Sequence, residues 1–211
     1  MIEYETRWFK DKPWLWVKSD YHCWKHLTKQ HPRLPKTIIE ELGNVKFVVQ
    51  AGGNCGFYVA QYAEVVDTVV TFEPDPNNYF CLEYNCNEPN VTMYNLALGN
   101  EVCNVKMNVQ KHNMGANRIL GRKDSSNIKQ IKLDSLNLEP DLIHLDIEGY
   151  EKQALLGMIE TIKRCRPYII LERDRKDVRH QCENLLESLG YTRNKDIGPD
   201  ILFKFKLDGN K

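Results

Sequence analysis

Short apolar runs alternate with segments of helical periodicity along most of the chain. Runs rich in β-branched and aromatic residues predict strands at 45–49, Thr68–Phe72, Val91–Tyr94, 141–146 and Tyr168–Glu172. Amphipathic segments predict helices at 36–42, Phe57–Ala63, 79–85, 151–163 and 178–189. Nearly continuous apolar strands that alternate with helices are typical of a parallel sheet covered on both faces. The pattern therefore predicts an α/β fold.

The alternation is interrupted between residues 100 and 133. Two apolar alternations flank a polar, glycine-containing stretch at 112–118, which predicts an inserted hairpin or a loop over the edge of the sheet. Near the end of the chain, 191–193 and 201–205 read as a closing hairpin through Gly198 and Pro199. Because we find neither a repeat nor a linker, we expect one main domain at residues 41–211.

Residues 1–40 form a separate aromatic-rich segment. They hold all four tryptophans of the chain, Trp8, Trp14, Trp16 and Trp24. One interpretation is an aromatic arm that packs onto the main domain, because large rings contribute much of the buried area in such contacts. The other is a lid that walls a substrate pocket. Cys23 and His26 are spaced to meet on one helical turn, but two residues do not make a metal site.

Charge and cysteine content narrow the class of protein. The 211 residues carry 29 basic and 29 acidic side chains, so long-range attraction to nucleic acid or to anionic membrane is not expected. No apolar stretch is long enough to span a bilayer. The seven cysteines lack a C-x-x-C pair and several fall in apolar segments, which favours free thiols in a cytoplasmic protein over disulfides or a metal set. We expect no metal ion.

A glycine-rich turn follows the first predicted strand of the main domain. Gly52, Gly53 and Gly56 separate that strand from a helix, an arrangement that lets a ligand approach the backbone at a helix N-terminus. The next strand ends at Glu73, which follows Gly56 by 17 residues, close to the spacing of an acid that binds ribose hydroxyls. Strand, glycine turn, helix, strand and acid together predict a cofactor that contains a nucleoside.

The turn has neither of the common phosphate-binding patterns. It is one residue shorter than Gly-x-Gly-x-x-Gly, and it lacks the Gly-Lys-Ser/Thr of a Walker loop. These differences favour a cofactor with ribose and base but without phosphate, of which S-adenosylmethionine (SAM) is the common example. An NAD-linked oxidoreductase is the rival prediction, and stabilisation by NAD but not by SAM would support it.

Four sequence blocks resemble the FkbM family of SAM-dependent methyltransferases. They are 48–56, 72–76 with Leu82 and Asn85, Leu133–Leu136, and 141–151 with Leu156 and Gly157. The resemblance runs from residue 45 to the C-terminus and implies a Rossmann-like class I methyltransferase fold. Such a fold has a mostly parallel seven-stranded sheet, with the last strand antiparallel and helices on both faces. The family usually transfers a methyl group to oxygen. Here Gln50 replaces its usual aspartate, and His144 replaces its usual lysine.

The candidate site residues follow from the strand ends and the resemblance. The predicted cofactor-binding set is Gln50, Gly52, Gly53, Asn54, Gly56, Glu73, Pro74, Asn95, Leu96 and Ala97, of which residues 95–97 border adenine by resemblance. Asp146 and Glu148, two residues apart at a strand end, are the predicted catalytic pair, since a base has to accept the proton of a hydroxyl. Their structural alternative is capping of the next helix. Asn113, Asn117 and Glu172 are the predicted substrate contacts, and His144 is predicted to be a packed core residue.

The predicted function is O-methylation of a hydroxyl on a small molecule, sugar or glycan, with SAM as cofactor. A SAM-fold protein that has lost catalysis and serves as a binding or interaction module is the alternative. Gln50 motivates it, because a neutral amide forms weaker hydrogen bonds than the carboxylate it replaces.

Overall fold

A computed structural model describes residues 2–173 and 176–206 of the chain. The strands are β1 (Tyr4–Phe9), β2 (Lys12–Val17), β3 (Phe47–Ala51), β4 (Thr68–Phe72), β5 (Val91–Tyr94), β6 (Ala97–Leu98), β7 (Cys103–Asn108), β8 (Arg118–Arg122), β9 (Ile128–Ile131), β10 (Leu142–Leu145), β11 (Tyr168–Glu172), β12 (Tyr191–Ile197) and β13 (Asp200–Phe205). The helices are α1 (Tyr21–Lys29), α2 (Leu34–Leu42), α3 (Phe57–Ala63), α4 (Pro76–Asn85), α5 (Glu151–Leu156), α6 (Ile159–Cys165) and α7 (Lys176–Ser188).

A seven-stranded sheet forms the centre of the molecule, in the order β12-β13-β11-β10-β3-β4-β5. The five strands from β11 to β5 in that order pair in parallel, whereas β13 pairs antiparallel with both β11 and β12. The predicted α/β fold with a mostly parallel sheet is therefore confirmed. All seven cysteines are free thiols. No helix within the described ranges is long and apolar enough to cross a membrane.

Both faces of the sheet are buried, as the continuous apolar strands predict. Successive residues of a strand point to opposite faces. Val48 and Leu142 accordingly belong to one hydrophobic cluster, and Val49 and Ile143 belong to the other. Each of these side chains is completely buried. The sheet is consequently buried on both sides. The acidic side chains that line the cavity lie at the ends of its strands.

The N-terminal segment packs on the first of these clusters. Its β1-β2 hairpin buries Trp14 and Trp16 among residues that include Val48, and the ring centroid of Trp14 lies 5.2 Å from that of Phe57. Asn85 of α4 accepts a hydrogen bond from the backbone N–H of Leu15 and donates to its carbonyl. The segment thus shares a hydrophobic core with the rest of the chain. The division into residues 1–40 and 41–211 stays a prediction about domains.

The interruption between residues 100 and 133 is larger than a hairpin. It contributes three strands to a second, four-stranded sheet with the order β6-β9-β7-β8, in which β7 and β9 form the expected antiparallel pair and the unpredicted β8 pairs antiparallel with the other edge of β7. The two-residue strand β6 pairs in parallel with β9 and joins this sheet to the segment that follows β5. So short a strand shows no periodicity, and β8 was not predicted as a strand either, so the pattern predicted only a hairpin.

The single helix predicted at 151–163 is wrong, because the chain divides there into α5 and α6. At the break, a Cβ added to Gly157 would lie 1.8 Å from the carbonyl oxygen of Gly99, so this backbone is in close contact with a neighbouring loop. The Asp134 side chain then caps the start of α6. Its oxygens accept hydrogen bonds from the backbone N–H groups of Glu160 and Thr161, at 3.2 and 2.8 Å.

Replacing Asp134 with Ala is expected to destabilise the protein by about 1–2 kcal/mol, the usual effect of losing a helix N-cap. Two backbone N–H groups at the start of α6 would lose their partner. Calorimetric melting should show a midpoint lower by roughly 2–8 °C for a chain of this length. The control is Asp134→Asn, which keeps one acceptor oxygen and should lose much less. A melting point for Asp134→Ala equal to that of the wild type would contradict the capping role.

Candidate functional site

A cavity of about 740 Å³ opens where the parallel strands end at their carboxyl termini. The residues that follow β3 and β4 form one wall of the cavity. The residues that follow β10, together with the ends of β11 and β13, form its floor. Helix α1 and the turn at residues 113–117 also line the cavity, and we refer to them as its roof. In open parallel sheets, ligands bind at this edge, because side chains and loops from several strands meet there. The cavity is thus the candidate functional site.

The glycine turn passes directly over the strand ends. Gly52 has a φ of +90°, and the backbone N–H groups of Gly52 and Gly53 both donate to the carbonyl of Phe72. A Cβ at Gly52 would lie 1.9 Å from the carbonyl oxygen of Asp146, and one at Gly53 would lie 2.8 Å from Oγ1 of Thr71. Only glycine fits either position. Gly52, Gly53 and Asn54 line the cavity, so this wall is largely backbone.

Gly56, predicted to bind the cofactor, does not line the cavity. Its φ is also +90°, but a Cβ there would lie 2.5 Å from Sγ of Cys86, next to helix α4. The glycine therefore allows α3 and α4 to pack closely. The sequence pattern located the turn correctly but could not separate its packing glycine from those at the wall.

Glu73 lies at the tip of β4 and lines the cavity, although its side chain is almost completely buried. One carboxylate oxygen accepts a hydrogen bond from the backbone N–H of Asn54 at 2.7 Å, and the other accepts from that of Asp75 at 2.8 Å. Burial raises the pKa of Glu73 to about 8, although the hydrogen bonds from the backbone N–H groups of Asp75 and Asn54 oppose the increase. The carboxyl group is thus fixed in position beside the glycine turn.

Gln50, also predicted to bind the cofactor, is not among the cavity-lining residues. Its Nε2 donates to the carbonyl oxygen of Gly52 at 2.8 Å, and its Oε1 accepts from the Thr71 hydroxyl at 2.5 Å. Both functional atoms of the amide are therefore used inside the protein. Gln50 supports the glycine turn from below, a role for which a neutral side chain that both donates and accepts is suited.

The predicted adenine-bordering residues divide in the same way. Pro74, Leu96 and Ala97 line the cavity and supply an apolar surface beside Glu73. Asn95 does not line it. Its side-chain amide instead donates to the backbone carbonyl of Glu73 at 2.7 Å and links the segment after β5 to the tip of β4.

Three predicted site acids meet on the floor of the cavity. Ligand oxygens of Asp146, Glu148 and Glu172 all lie within 4.8 Å of one another. Burial raises the pKa of Asp146 to about 7, with a further increase from Asp200 and Glu148 and an opposing effect of His144. The spacing is compatible with a divalent cation, and it also suits hydrogen bonds to the hydroxyl groups of a ligand. The expectation of no metal ion stays a prediction.

The predicted substrate contacts on the inserted segment reach the roof. Asn113 and Asn117 both line the cavity beside Met114. The Asn117 amide donates to Asp75 at 3.0 Å, and its oxygen accepts from the backbone N–H of Gln110 at 2.7 Å. Asn117 consequently holds the roof in place over the glycine turn.

Several lining residues were not predicted. Helix α1 contributes His22, Cys23, Lys25, His26 and Leu27, and β13 contributes Asp200. The lid interpretation of the N-terminal segment is the signal that pointed to α1. Asp200 had no such signal, since an aspartate before an apolar strand is a common turn residue.

The sheet and its cavity define an α/β fold of the methyltransferase type. The chain belongs to the family described as the methyltransferase FkbM domain, whose model matches residues 50–193. The predicted family is thereby confirmed. A search of curated proteins found no match.

Among solved structures, the chain resembles a methyltransferase FkbM from Methylobacillus flagellatus, with 19% identity and a TM-score of 0.54 over 76% of this chain and 44% of that one. The chain therefore spans less than half the length of that protein. A second similar structure is the magnesium protoporphyrin IX methyltransferase from Synechocystis PCC 6803 with bound SAM, at 10% identity, TM-score 0.52 and coverage of 88% and 85%. A third is a precorrin 8W decarboxylase from Methanobacterium thermoautotrophicum, at 15% identity, TM-score 0.51 and coverage of 81% and 88%.

Proposed function

We propose that the chain is a SAM-dependent methyltransferase that transfers a methyl group to a hydroxyl of a small molecule, sugar or glycan. The observation that carries the proposal is the meeting of the glycine turn and the Glu73 carboxyl group on the wall of one cavity. Fold alone does not define a reaction, and the likeness to a decarboxylase illustrates this point. Membership of the FkbM domain family supports methyl transfer in particular.

The lining residues offer a place for each part of SAM. The turn formed by Gly52, Gly53 and Asn54 would hold the methionine part, because no side chain blocks approach to the two glycines. Glu73 would accept hydrogen bonds from the ribose hydroxyls. Adenine would lie against the apolar wall formed by Pro74, Leu96 and Ala97. When bound, SAM supplies a methyl group on a positively charged sulfur.

The acids on the floor would contact the methyl acceptor. Asp146, Glu148 and Glu172 offer oxygens that accept hydrogen bonds from hydroxyl groups, and Asp146 or Glu148 would take the acceptor's proton or orient the acceptor. Positioning of the two reactants supplies most of such a rate enhancement, and a base adds typically about 10²–10⁴-fold.

The free thiols support a reducing compartment such as the cytoplasm.

The test compares three ligands. S-adenosylhomocysteine (SAH) and SAM are expected to raise the melting temperature of the purified chain, because a ligand that binds only the folded state stabilises it. NAD is expected to leave the melting temperature unchanged. Stabilisation by NAD alone would replace the proposal with an oxidoreductase.

Incubation with tritiated SAM and cell extract then separates enzyme from binding module. Label on an extract component that is resistant to base and attached through oxygen would support O-methyl transfer to a sugar or small molecule. SAM binding without transfer to any extract component would favour the binding module.

A further inference from the structure

Three buried side chains from distant parts of the sequence form a chain that ends at the cavity. Tyr62 of α3, His144 of β10 and Asp200 at the start of β13 are each at most 1% exposed. The Tyr62 hydroxyl oxygen lies 2.8 Å from Nδ1 of His144. On the other side of the ring, Nε2 lies 3.2 Å from Oδ2 of Asp200. His144 is thus a packed residue, but it connects the core to an acid on the cavity floor.

The contacts determine where the protons lie. Within the described part of the chain, neither Nε2 of His144 nor Oδ2 of Asp200 has an aligned hydrogen-bond partner, and the two atoms lie 3.2 Å apart. If the Tyr62 hydroxyl donates to Nδ1, then Nε2 carries the hydrogen and faces the carboxylate. The opposite tautomer would place two acceptor atoms 3.2 Å apart in the core.

The contact with His144 involves only Oδ2 of Asp200, and the residue also lines the cavity. Asp200 lines the cavity and pairs in register with Glu172 on β11, so the two acids stand side by side at the floor. Nε2 of His144 lies 3.2 Å from Oδ2 and so restricts the orientation of the carboxyl group. The charge of Asp200 acts, in the direction of a higher pKa, on titratable groups from several elements: His31, Tyr58, Tyr62 and Asp146.

We propose that Asp200 is the catalytic residue that takes the proton from the acceptor hydroxyl, with His144 and Tyr62 as positioning residues. This assignment rests on the function proposed above and leaves Asp146 and Glu148 to orient the acceptor. The hydroxyl oxygen forms a bond to the methyl carbon while the carbon–sulfur bond of SAM breaks, and the sulfur keeps that electron pair. The proton of the hydroxyl moves to Oδ1 of Asp200, and the O–H electron pair stays on oxygen. The products are a methyl ether and SAH.

The raised pKa of Asp146, about 7, is consistent with this division of roles. Near neutral pH, Asp146 spends much of its time protonated and can donate a hydrogen bond to the acceptor.

The first experiment reads the histidine tautomer and needs no methyl acceptor. Long-range ¹H–¹⁵N NMR of the side chains should show His144 as neutral imidazole with its hydrogen on Nε2, the signal being assigned from its loss in His144→Gln. Tyr62→Phe removes only the hydroxyl group that donates to Nδ1, and it should produce a mixture of tautomers. A hydrogen on Nδ1 in the wild type would overturn the proposed positioning.

The second experiment measures SAH affinity by calorimetry and methyl transfer from tritiated SAM to extract acceptors. Asp200→Asn is expected to keep the wild-type SAH affinity and to lose transfer by about 10²–10⁴-fold. Tyr62→Phe should keep SAH affinity and shift the pH profile of transfer. The matched control is Asp196→Asn on the neighbouring strand, an exposed aspartate paired with Arg193, which should behave like the wild type.

The outcomes separate this proposal from the proposed function. A wild-type chain that binds neither SAM nor SAH overturns the function itself. A wild-type chain that binds SAH but labels no acceptor overturns the assignment of Asp200 as a base. Methyl transfer by Asp200→Asn within tenfold of the wild-type rate also overturns that assignment, because no base would then have been removed. Loss of SAH binding by this variant overturns it as well, because Asp200 would then contribute to cofactor binding.

Discussion

Replacing Glu73 with Gln is expected to weaken SAH binding by about 10²-fold near pH 8. Each of two ribose hydroxyls would exchange a hydrogen bond to a charged acceptor, worth about 1.5–3 kcal/mol, for a weaker one to a neutral amide. The same change should flatten the pH dependence of binding. In the wild type, burial raises the pKa of Glu73 to about 8. Because SAH binds the ionised form, its affinity should increase by up to tenfold for each unit by which the pH rises towards about 8. Calorimetry across about pH 6 to 9 measures both effects.

The Gln variant also serves as the control for the ligand. Titration of the amino group of SAH is common to both proteins, so the difference between their profiles reports Glu73 alone. Equal affinities near pH 8 would remove Glu73 from the proposed ribose site.

The stability of the ligand-free protein should vary with pH in the opposite direction. The folded pKa of Glu73 lies above its ordinary value of 4.5, so this group's contribution to the free energy of unfolding is complete below about pH 4.5. That contribution is lost as the pH rises through about 8, by an amount on the order of 5 kcal/mol. Denaturant unfolding of Glu73→Gln should show a smaller fall over the same range. Asp146 would account for part of the fall that persists, because its pKa is also raised.

Replacing Gly52 with Ala is expected to produce the largest loss of stability of any single change considered for the glycine turn. The new Cβ would lie 1.9 Å from the backbone oxygen of Asp146, and the residue would also keep an unfavourable φ of +90°. Overpacking costs about 1–3 kcal/mol and backbone strain a similar amount, so the free energy of unfolding should fall by roughly 3–5 kcal/mol. Urea denaturation measures that change, and SAH binding by the folded fraction should be lost.

Gly43→Ala is the matched control for this change. Gly43 also has a positive φ, of +78°, but a Cβ there has no neighbour within 4 Å. Its substitution should show the backbone strain without the steric contact, and SAH affinity should not change. If the two variants lost equal stability, the close approach of the turn to the loop after β10 would not be the reason for glycine at position 52.

Sequence periodicity identified the central elements well. The bounds predicted for Phe57–Ala63, Thr68–Phe72, Val91–Tyr94 and Tyr168–Glu172 match the observed ones, because each is an uninterrupted apolar or helical run. The break at Gly157 was missed, since the reason for it is a distant contact with Gly99. A helical pattern contains no record of such a contact.

The same limit applies to the site. Strand-end positions led to Glu73, Asp146, Glu148 and Glu172, all of which line the cavity, because parallel strands end at one edge of the sheet. Gln50 lies one residue before such an end, and its side chain turns into the protein to bond Thr71. Asp200 reaches the cavity only through the antiparallel return of β13, a placement that depends on pairing rather than on local sequence.

The origin of the cavity's two sides bears on how such proteins diversify. The glycine turn and Glu73 lie inside the stretch shared with the family, residues 50–193, whereas α1 in the roof and Asp200 in the floor lie outside it. Under the proposed function, substitutions on the cavity side of α1 would change the surface offered to the acceptor without changing the glycine turn or Glu73. Any such exchange has to retain the tryptophan-bearing hairpin, since Trp14 and Trp16 complete the common core. Under the proposed function, exchange of α1 together with its hairpin is consequently the change best suited to altering the acceptor.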